Sequence, residues 1–227
     1  MKMTKLDPSM PVMALKAGVL CAILLSPLAS TAAPISFNFG GSVDSVHGGV
    51  FTAGGTGTNG FSSSLPMKGS FTFNSSTPDS NGGALIGRYN GTIQNLTVTV
   101  GNYTATYNPG SSFIRVENNP GVGSTYHVEV TNLSGPSVNG RAPSSFEITL
   151  ENPTGTAFAN DHLPTTPPSL SSFASSSWRL IFGGVGHRVQ GGLTSLVPLP
   201  AAVWLFGAGL IALVGLGSRG LVTRKES

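Results

Sequence analysis

Only one cysteine, Cys21, occurs in the 227 residues, and it lies in an apolar run near the N-terminus. From residue 33 onward no disulfide can staple the chain. A thiolate metal site and a cysteine nucleophile are excluded there too. Charge is also scarce, at 9% of residues, with 12 basic against 9 acidic side chains. The excess of positive charge sits at the two ends. Lys2, Lys5 and Lys16 face Asp7 at the start, and Arg219, Arg224 and Lys225 face Glu226 at the finish. The body, 33–196, holds 6 basic and 7 acidic residues, so the basic balance of the whole chain is no footprint of a nucleic-acid partner. Four histidines, His47, His127, His162 and His187, show no ligand spacing, and no cofactor is implied. No stretch of the body carries a helical period.

Both ends are built for transport. Behind the three lysines, Ala17–Leu25 has the length and apolarity of a signal-peptide core, closed by the small residues Ser30, Thr31, Ala32 and Ala33. A signal peptide over 1–32 is the expectation, cut after Ala32. A cut after Ala33 is the alternative and would leave Pro34 at the new N-terminus. Leu20 stands before Cys21 where a lipoprotein needs a small residue, so Cys21 counts as part of the apolar core. Signal peptidase and the Sec machinery are the partners implied.

At the other end, Ala201–Gly217 is a run of 17 residues without a charge, followed by Arg219, Arg224 and Lys225. That is the short end of the roughly 17–25 residues that cross a bilayer as a helix. The positive residues behind the run place the tail on the cytoplasmic side and the body outside. Trp204 stands near the outer end of the span. Pro198 and Pro200 come just before it, and each fixes its own φ and biases the residue ahead toward extended backbone. Val197–Pro200, within Val197-Pro198-Leu199-Pro200-Ala201, should therefore be a stiff extended peptide just outside the membrane, the form a protease reads. These residues, with the span and the basic tail, resemble the PEP-CTERM sorting signal in its VPLPA form. Leu199 stands where the commoner form has Glu. The resemblance covers 197–227 and implies processing by an exosortase, a membrane-embedded cysteine protease or transpeptidase of exopolysaccharide-making Gram-negative bacteria. It also implies an inner-membrane-anchored precursor with its body in the periplasm. Delivery to the cell surface or the extracellular matrix follows, where exopolysaccharide is a candidate partner.

The body predicts an all-β fold. Leu96–Val100 and Tyr103–Tyr107 flank Gly101-Asn102, a two-residue turn that accepts positive φ. Pairing about it sets Val100 against Tyr103, Val98 against Ala105 and Leu96 against Tyr107 on one face. Thr99 against Thr104 and Thr97 against Thr106 fall on the other, a favourable cross-strand set. Phe71 and Phe73, then Tyr126, Val128 and Val130, then Phe146, Ile148 and Leu150, and Trp178, Leu180 and Phe182 alternate with polar residues. Ile35–Phe39, Ala84–Tyr89 and Phe113–Glu117 are further strands. Asn74–Gly83, Asn118–Gly123 and Ser134–Gly140 are turn clusters, and Asp161–Ser177 is a long loop. Strands with one apolar face predict an antiparallel β-sandwich, jelly-roll-like, over 33–196. A disordered Ser/Gly-rich stalk is the competing expectation.

Several patterns imitate chemistry. Gly55-Thr56-Gly57-Thr58-Asn59-Gly60 satisfies G-x-G-x-x-G, but Phe61-Ser62-Ser63-Ser64-Leu65-Pro66 behind it starts no helix, so a flexible loop is expected. Asp44, Ser45 and His47 lie close together in sequence with no nucleophile elbow. Asn74, Asp79 and Asn81 offer calcium-type oxygens with a single carboxylate. His127 falls on a polar strand face and should be solvated. No catalytic, cofactor or metal residue is assigned. The expectation for the body is a non-enzymatic structural or interaction role. A carbohydrate-binding module would need exposed rings among Tyr89, Tyr103, Tyr107 and Tyr126, which fall mostly on core faces. A surface hydrolase would need paired carboxylates.

Overall fold

Alternating apolar and polar residues become strands throughout the computed structural model, which describes residues 34–57 and 59–199. The first six are β1 (Ile35–Ser42), β2 (Ser45–His47), β3 (Pro66–Phe73), β4 (Ile86–Asn90), β5 (Ile93–Val100) and β6 (Tyr103–Tyr107). The second six are β7 (Ser112–Asn119), β8 (Gly123–Thr131), β9 (Leu133–Ser134), β10 (Pro143–Asn152), β11 (Ser175–Phe182) and β12 (Gly184–Pro198). Helical structure among the described residues amounts to single 3₁₀ turns at Gly48–Val50 and Leu170–Ser172. No helix there is long and apolar enough to cross a membrane. The expected signal peptide and the expected span over 201–217 lie outside the described residues.

The β5–β6 hairpin turns on Gly101, whose φ of +57° suits a residue without Cβ. Its register is Val100↔Tyr103, Thr99↔Thr104, Val98↔Ala105 and Thr97↔Thr106, with a Thr99–Thr104 hydroxyl bond of 3.0 Å on the polar face. The expected Leu96–Tyr107 pair does not form. The β5–β6 ladder ends at Thr97, Tyr107 pairs instead with Leu133 of β9, and Leu96 pairs with Phe71 of β3.

The strands form one antiparallel sheet in the order β4, β7, β8, β10, β11, β12, β1, β3, β5, β6, β9, with β2 beside β12. β12 holds the sheet together. Its first part pairs with β11 and β2 through Gly192, and its last part, from Leu193, pairs with β1 through Pro198. The crossover is crowded. A Cβ on Gly191 would overlap the Ser42 carbonyl, and one on Gly41 would overlap that of Gly192, so glycine is required where β1 passes β12.

The sheet curls until its two halves share one core. Phe39 of β1 stacks on Phe146 of β10 with centroids 5.3 Å apart, and Phe146 leads on to Trp178 of β11. Phe61 and Tyr103 both meet Phe182 of β11 at 5.5 Å. Each fully buried Phe contributes roughly 1.5–3 kcal/mol by leaving water, and a well-placed ring pair about 0.5–1.5 more. A core of this size is incompatible with a solvated stalk. Opposite Phe39 lies Gly69, and a Cβ there would overlap the Phe39 ring and the Thr97 carbonyl.

Loops are tied to this core. The glycine-rich loop expected to be flexible is pinned instead. Phe61 is buried, Thr52 N–H donates to its carbonyl at 2.9 Å, and Asn102 N–H donates to the Thr56 carbonyl at 2.9 Å. The loop before β11 runs from 153 to 174, longer than the expected Asp161–Ser177 at its start and shorter at its end. It lays Phe158, Leu163, Leu170 and Phe173 against the core. At the β4 edge, Asp79 Oδ1 accepts the Arg88 N–H at 2.8 Å while Ser80 N–H donates to the Arg88 carbonyl at 2.8 Å. An edge strand whose groups are so occupied is a poor template for a second chain.

Candidate functional site

Charge is rare in the body, so where it gathers is informative. The outward faces of β4, β7, β8, β10 and β11 carry Arg88, Arg115, Arg179, Glu117, Glu129, Glu147 and Glu151, over half of the thirteen charged residues in 33–196. Register aligns them in rows. One row runs Arg88, Arg115, His127, Thr149, and the next runs Phe113, Glu129, Glu147, Arg179, Gln190.

His127 lies at the middle of this face and is not solvated as expected. Alternation does point it outward, but Arg115 and Thr149 flank it directly, and the Phe113 ring meets it edge-on at 5.1 Å. Its Nε2 is buried without a hydrogen-bond partner, and the nearest carboxylate oxygen, on Glu129, is 4.0 Å away. Burial holds the imidazole below its ordinary pKa. The Glu147 charge opposes that shift, and Arg115, Arg179 and Arg88 reinforce it.

Glu129 and Glu147 stand directly opposite each other on β8 and β10. Glu147 accepts a hydrogen bond from Arg179 at 2.6 Å. Glu129 has no such clamp. Burial, then the Glu147 charge, raises its pKa, while Arg88 and Arg179 pull it down. Arg88 lays its guanidinium 3.8 Å above the Phe113 ring, and Arg115 pairs with Glu117. A shallow groove of about 390 Å³ runs past Arg88, Asn90, Phe113, Glu129 and Thr131. It offers a cation, a carboxylate and amide and hydroxyl groups, suited to polar contact. Sequence alternation places each of these residues outward, but the adjacency of Glu129 and Glu147 depends on the β8–β10 register, which no short-range signal reveals.

The other candidate groups are committed elsewhere. Asn74 Oδ1 accepts from Ser76, Asp79 Oδ1 from the N–H groups of Asn81 and Arg88, and Asn81 Oδ1 from Gly83, so these oxygens cap their own turn. Among the described residues no three His, Cys, Asp or Glu side chains converge as a metal set. Ser45 Oγ lies 3.2 Å from His47 Nε2, but Asp44 is exposed and makes no bond to His47. Tyr89, Tyr103 and Tyr126 are buried, and Tyr107 is half-buried with its hydroxyl donating to the Gly110 carbonyl. Burial raises the hydroxyl pKa of all three buried tyrosines.

At the C-terminal boundary, β12 runs past 196 and into the motif. Asn38↔Val197 and Phe37↔Pro198 continue the β1 ladder, and Leu199 N–H donates to the Ser36 carbonyl at 2.9 Å. Val197 and Pro198 are therefore extended strand residues, and their backbone is not free. In an antiparallel ladder alternate residues turn their N–H toward the partner. Leu199 does so, so Pro198 occupies a position whose N–H would point away from β1, which is where a strand tolerates proline. Val197 is 48% exposed although its backbone is paired. Pro200, Ala201, Arg219, Arg224, Lys225, Ala32 and Ala33 lie outside the described residues.

Comparison of the chain with protein-family models, with curated proteins and with solved structures returns no match.

Proposed function

We propose that this chain is an exported cell-surface or exopolysaccharide-matrix protein with a non-enzymatic structural or interaction role, delivered by an exosortase acting at Val197–Ala201. The observation that supports this reading most is the position of β12. The body's last strand ends within the motif, and the apolar run and basic tail follow at once in the sequence. Such an arrangement suits a folded cargo with a removable membrane handle. The N-terminal run over 1–32 supplies export through signal peptidase and the Sec machinery. The curled sheet is taken as a jelly-roll-like β-sandwich, supported by the Phe39–Phe146 contact between its halves.

A hydrolase reading has one observation in its favour, the facing Glu129 and Glu147. Glu147 is clamped by Arg179, and the pair sits on an open sheet face. A carbohydrate-binding reading rests on the outward Phe113, which Arg88 covers.

The test is the intact mass of the mature protein in its native host, with and without the exosortase gene. Loss of the tail that depends on the exosortase supports the proposal. A chain extending through Ser227 in both strains refutes it.

A further inference from the structure

Four asparagines of the body stand directly before a glycine, at Asn59, Asn81, Asn90 and Asn139. Such a pair can lose ammonia unaided, when the glycine nitrogen attacks the asparagine Cγ. A glycine has no Cβ to shield that approach. We infer that the fold restrains three of these pairs and leaves Asn81-Gly82 as the site of spontaneous deamidation. The inference is independent of the sorting reading above.

At Asn90 both reacting groups are held. Its Nδ2 donates to Ser80 Oγ at 2.9 Å, its Oδ1 accepts from Arg88 Nε at 3.0 Å, and the Gly91 N–H donates to the Ser112 carbonyl at 2.7 Å. At Asn139 the Nδ2 that would have to leave donates to the Gly49 carbonyl at 2.7 Å. Asn139 and Gly140 also fill a tight turn with φ of +49° and +76°, closed by mutual Val138 and Arg141 backbone bonds of 2.9 and 3.0 Å. Behind Asn59, Gly60 is buried and lies so close to Thr52 that a Cβ would overlap that side chain. The Thr52 hydroxyl in turn donates to the Asn59 carbonyl at 3.0 Å.

Asn81 is held least. Its Oδ1 accepts from the Gly83 N–H at 3.2 Å, while its Nδ2 and the Gly82 N–H have no partner among the described residues. Residues 82–85 are exposed, and nothing lies within 4 Å of the place a Gly82 Cβ would take. In the reaction the Gly82 nitrogen gives up its proton and bonds to Cγ. The Cγ–Nδ2 bond breaks, and that proton leaves with the amide as ammonia. Water then opens the cyclic imide, at Cγ to give aspartate or at the main-chain carbonyl to give isoaspartate. Nothing is oxidised or reduced. Either product adds a carboxylate next to Asp79, whose Oδ1 holds the N–H groups of Asn81 and Arg88 beside the β4 edge. The change therefore falls on the segment that covers that edge.

Ageing the purified full chain at neutral pH, followed by peptide mass spectrometry, tests this. Conversion at Asn81 should run at least about tenfold faster than at Asn59, Asn90 or Asn139, since each bond that must break first slows the step by roughly fivefold. Conversion as fast at any of those three overturns the inference, and so does an Asn81 that stays intact while they convert. In the urea-unfolded chain the four pairs should convert at similar rates. A lead for Asn81 that persists there would show that its sequence neighbours, and not the fold, select it, which also overturns the inference. Gly82→Ala supplies a third measurement without backbone strain, because Gly82 is not at positive φ and the added methyl meets open space. It should slow the loss at Asn81 to the level of the restrained pairs. An unchanged rate would mean that the Gly82 nitrogen is not the attacking group.

Discussion

Replacing Phe39 and Phe146 by alanine, singly and together, measures whether the two halves of the sheet close on each other. The rings stack at 5.3 Å, and both are almost wholly buried, at 3% and 0% exposure. Phe39 belongs to β1 and Phe146 to β10, strands separated in the sheet by β11 and β12, so no ladder makes them neighbours. Each single truncation removes a ring and leaves a cavity, at a cost of about 3–5 kcal/mol. For a body of this size that corresponds to a fall in Tm of roughly 6–20 °C. The double variant should lose less than the sum of the two, because the second truncation no longer breaks the ring pair. The coupling expected is about 0.5–1.5 kcal/mol. Urea titration of the full chain in detergent, followed by tryptophan fluorescence, supplies all four corners of the cycle. Trp178 packs beside Phe146 and reports on this region directly. Additivity within about 0.3 kcal/mol would refute the contact, and with it the curl.

Glu129→Gln removes one of two facing carboxylates and should stabilise the fold by about 0.2–1 kcal/mol at pH 7, the usual cost of like charges directly opposite. Because the Glu129 pKa is raised, the destabilisation sets in as pH rises through its folded value, so the gain should vanish near pH 4, where the group is protonated. His127 has the opposite sense. Its pKa is lowered, so wild-type stability should fall as pH drops below about 6.5, where the unfolded chain takes up the proton first, at about 1.4 kcal/mol per unit of lowering. Melting scans at pH 8 and pH 5 should show a smaller difference for His127→Gln, and an identical difference would count against the burial described. Gly69→Ala forces a methyl against the Phe39 ring and the Thr97 carbonyl and should cost about 1–3 kcal/mol by urea titration. An unchanged midpoint would mean that β1 and β3 approach less closely than described.

Local patterns carried much of this fold. The β5–β6 hairpin was legible down to Thr97↔Thr106 because turn and strands lie within twelve residues and a slip of one would expose every apolar side chain. Its outermost pair was not, because β6 leaves β5 to meet β9, whose two residues give no strand signal. β12 was missed for a related reason. Gly184, Gly186, Gly191 and Gly192 break its alternation, and Gly191 is required by the approach of Ser42, which is distant in sequence. The candidate site followed the same division. Outward direction was readable for Glu129, Glu147 and His127, while their mutual burial and opposition come from long-range register. The proline spacing at 198 and 200 indicated extended backbone, but nothing local said that β1 would hold it.

The pairing of β1 with β12 also has a bearing on time. The first strand of the body has no partner on that side until the last one is made, so the ladder spans nearly the whole domain in sequence. Contacts this remote in the chain are slow to form, since a long loop must close before they return any stability. The sheet can be finished only after Pro198 has emerged from the ribosome. Until that segment arrives, the side of β1 that faces β12 has no strand to pair with, although ladders such as β3–β5 and β7–β8 need nothing from it.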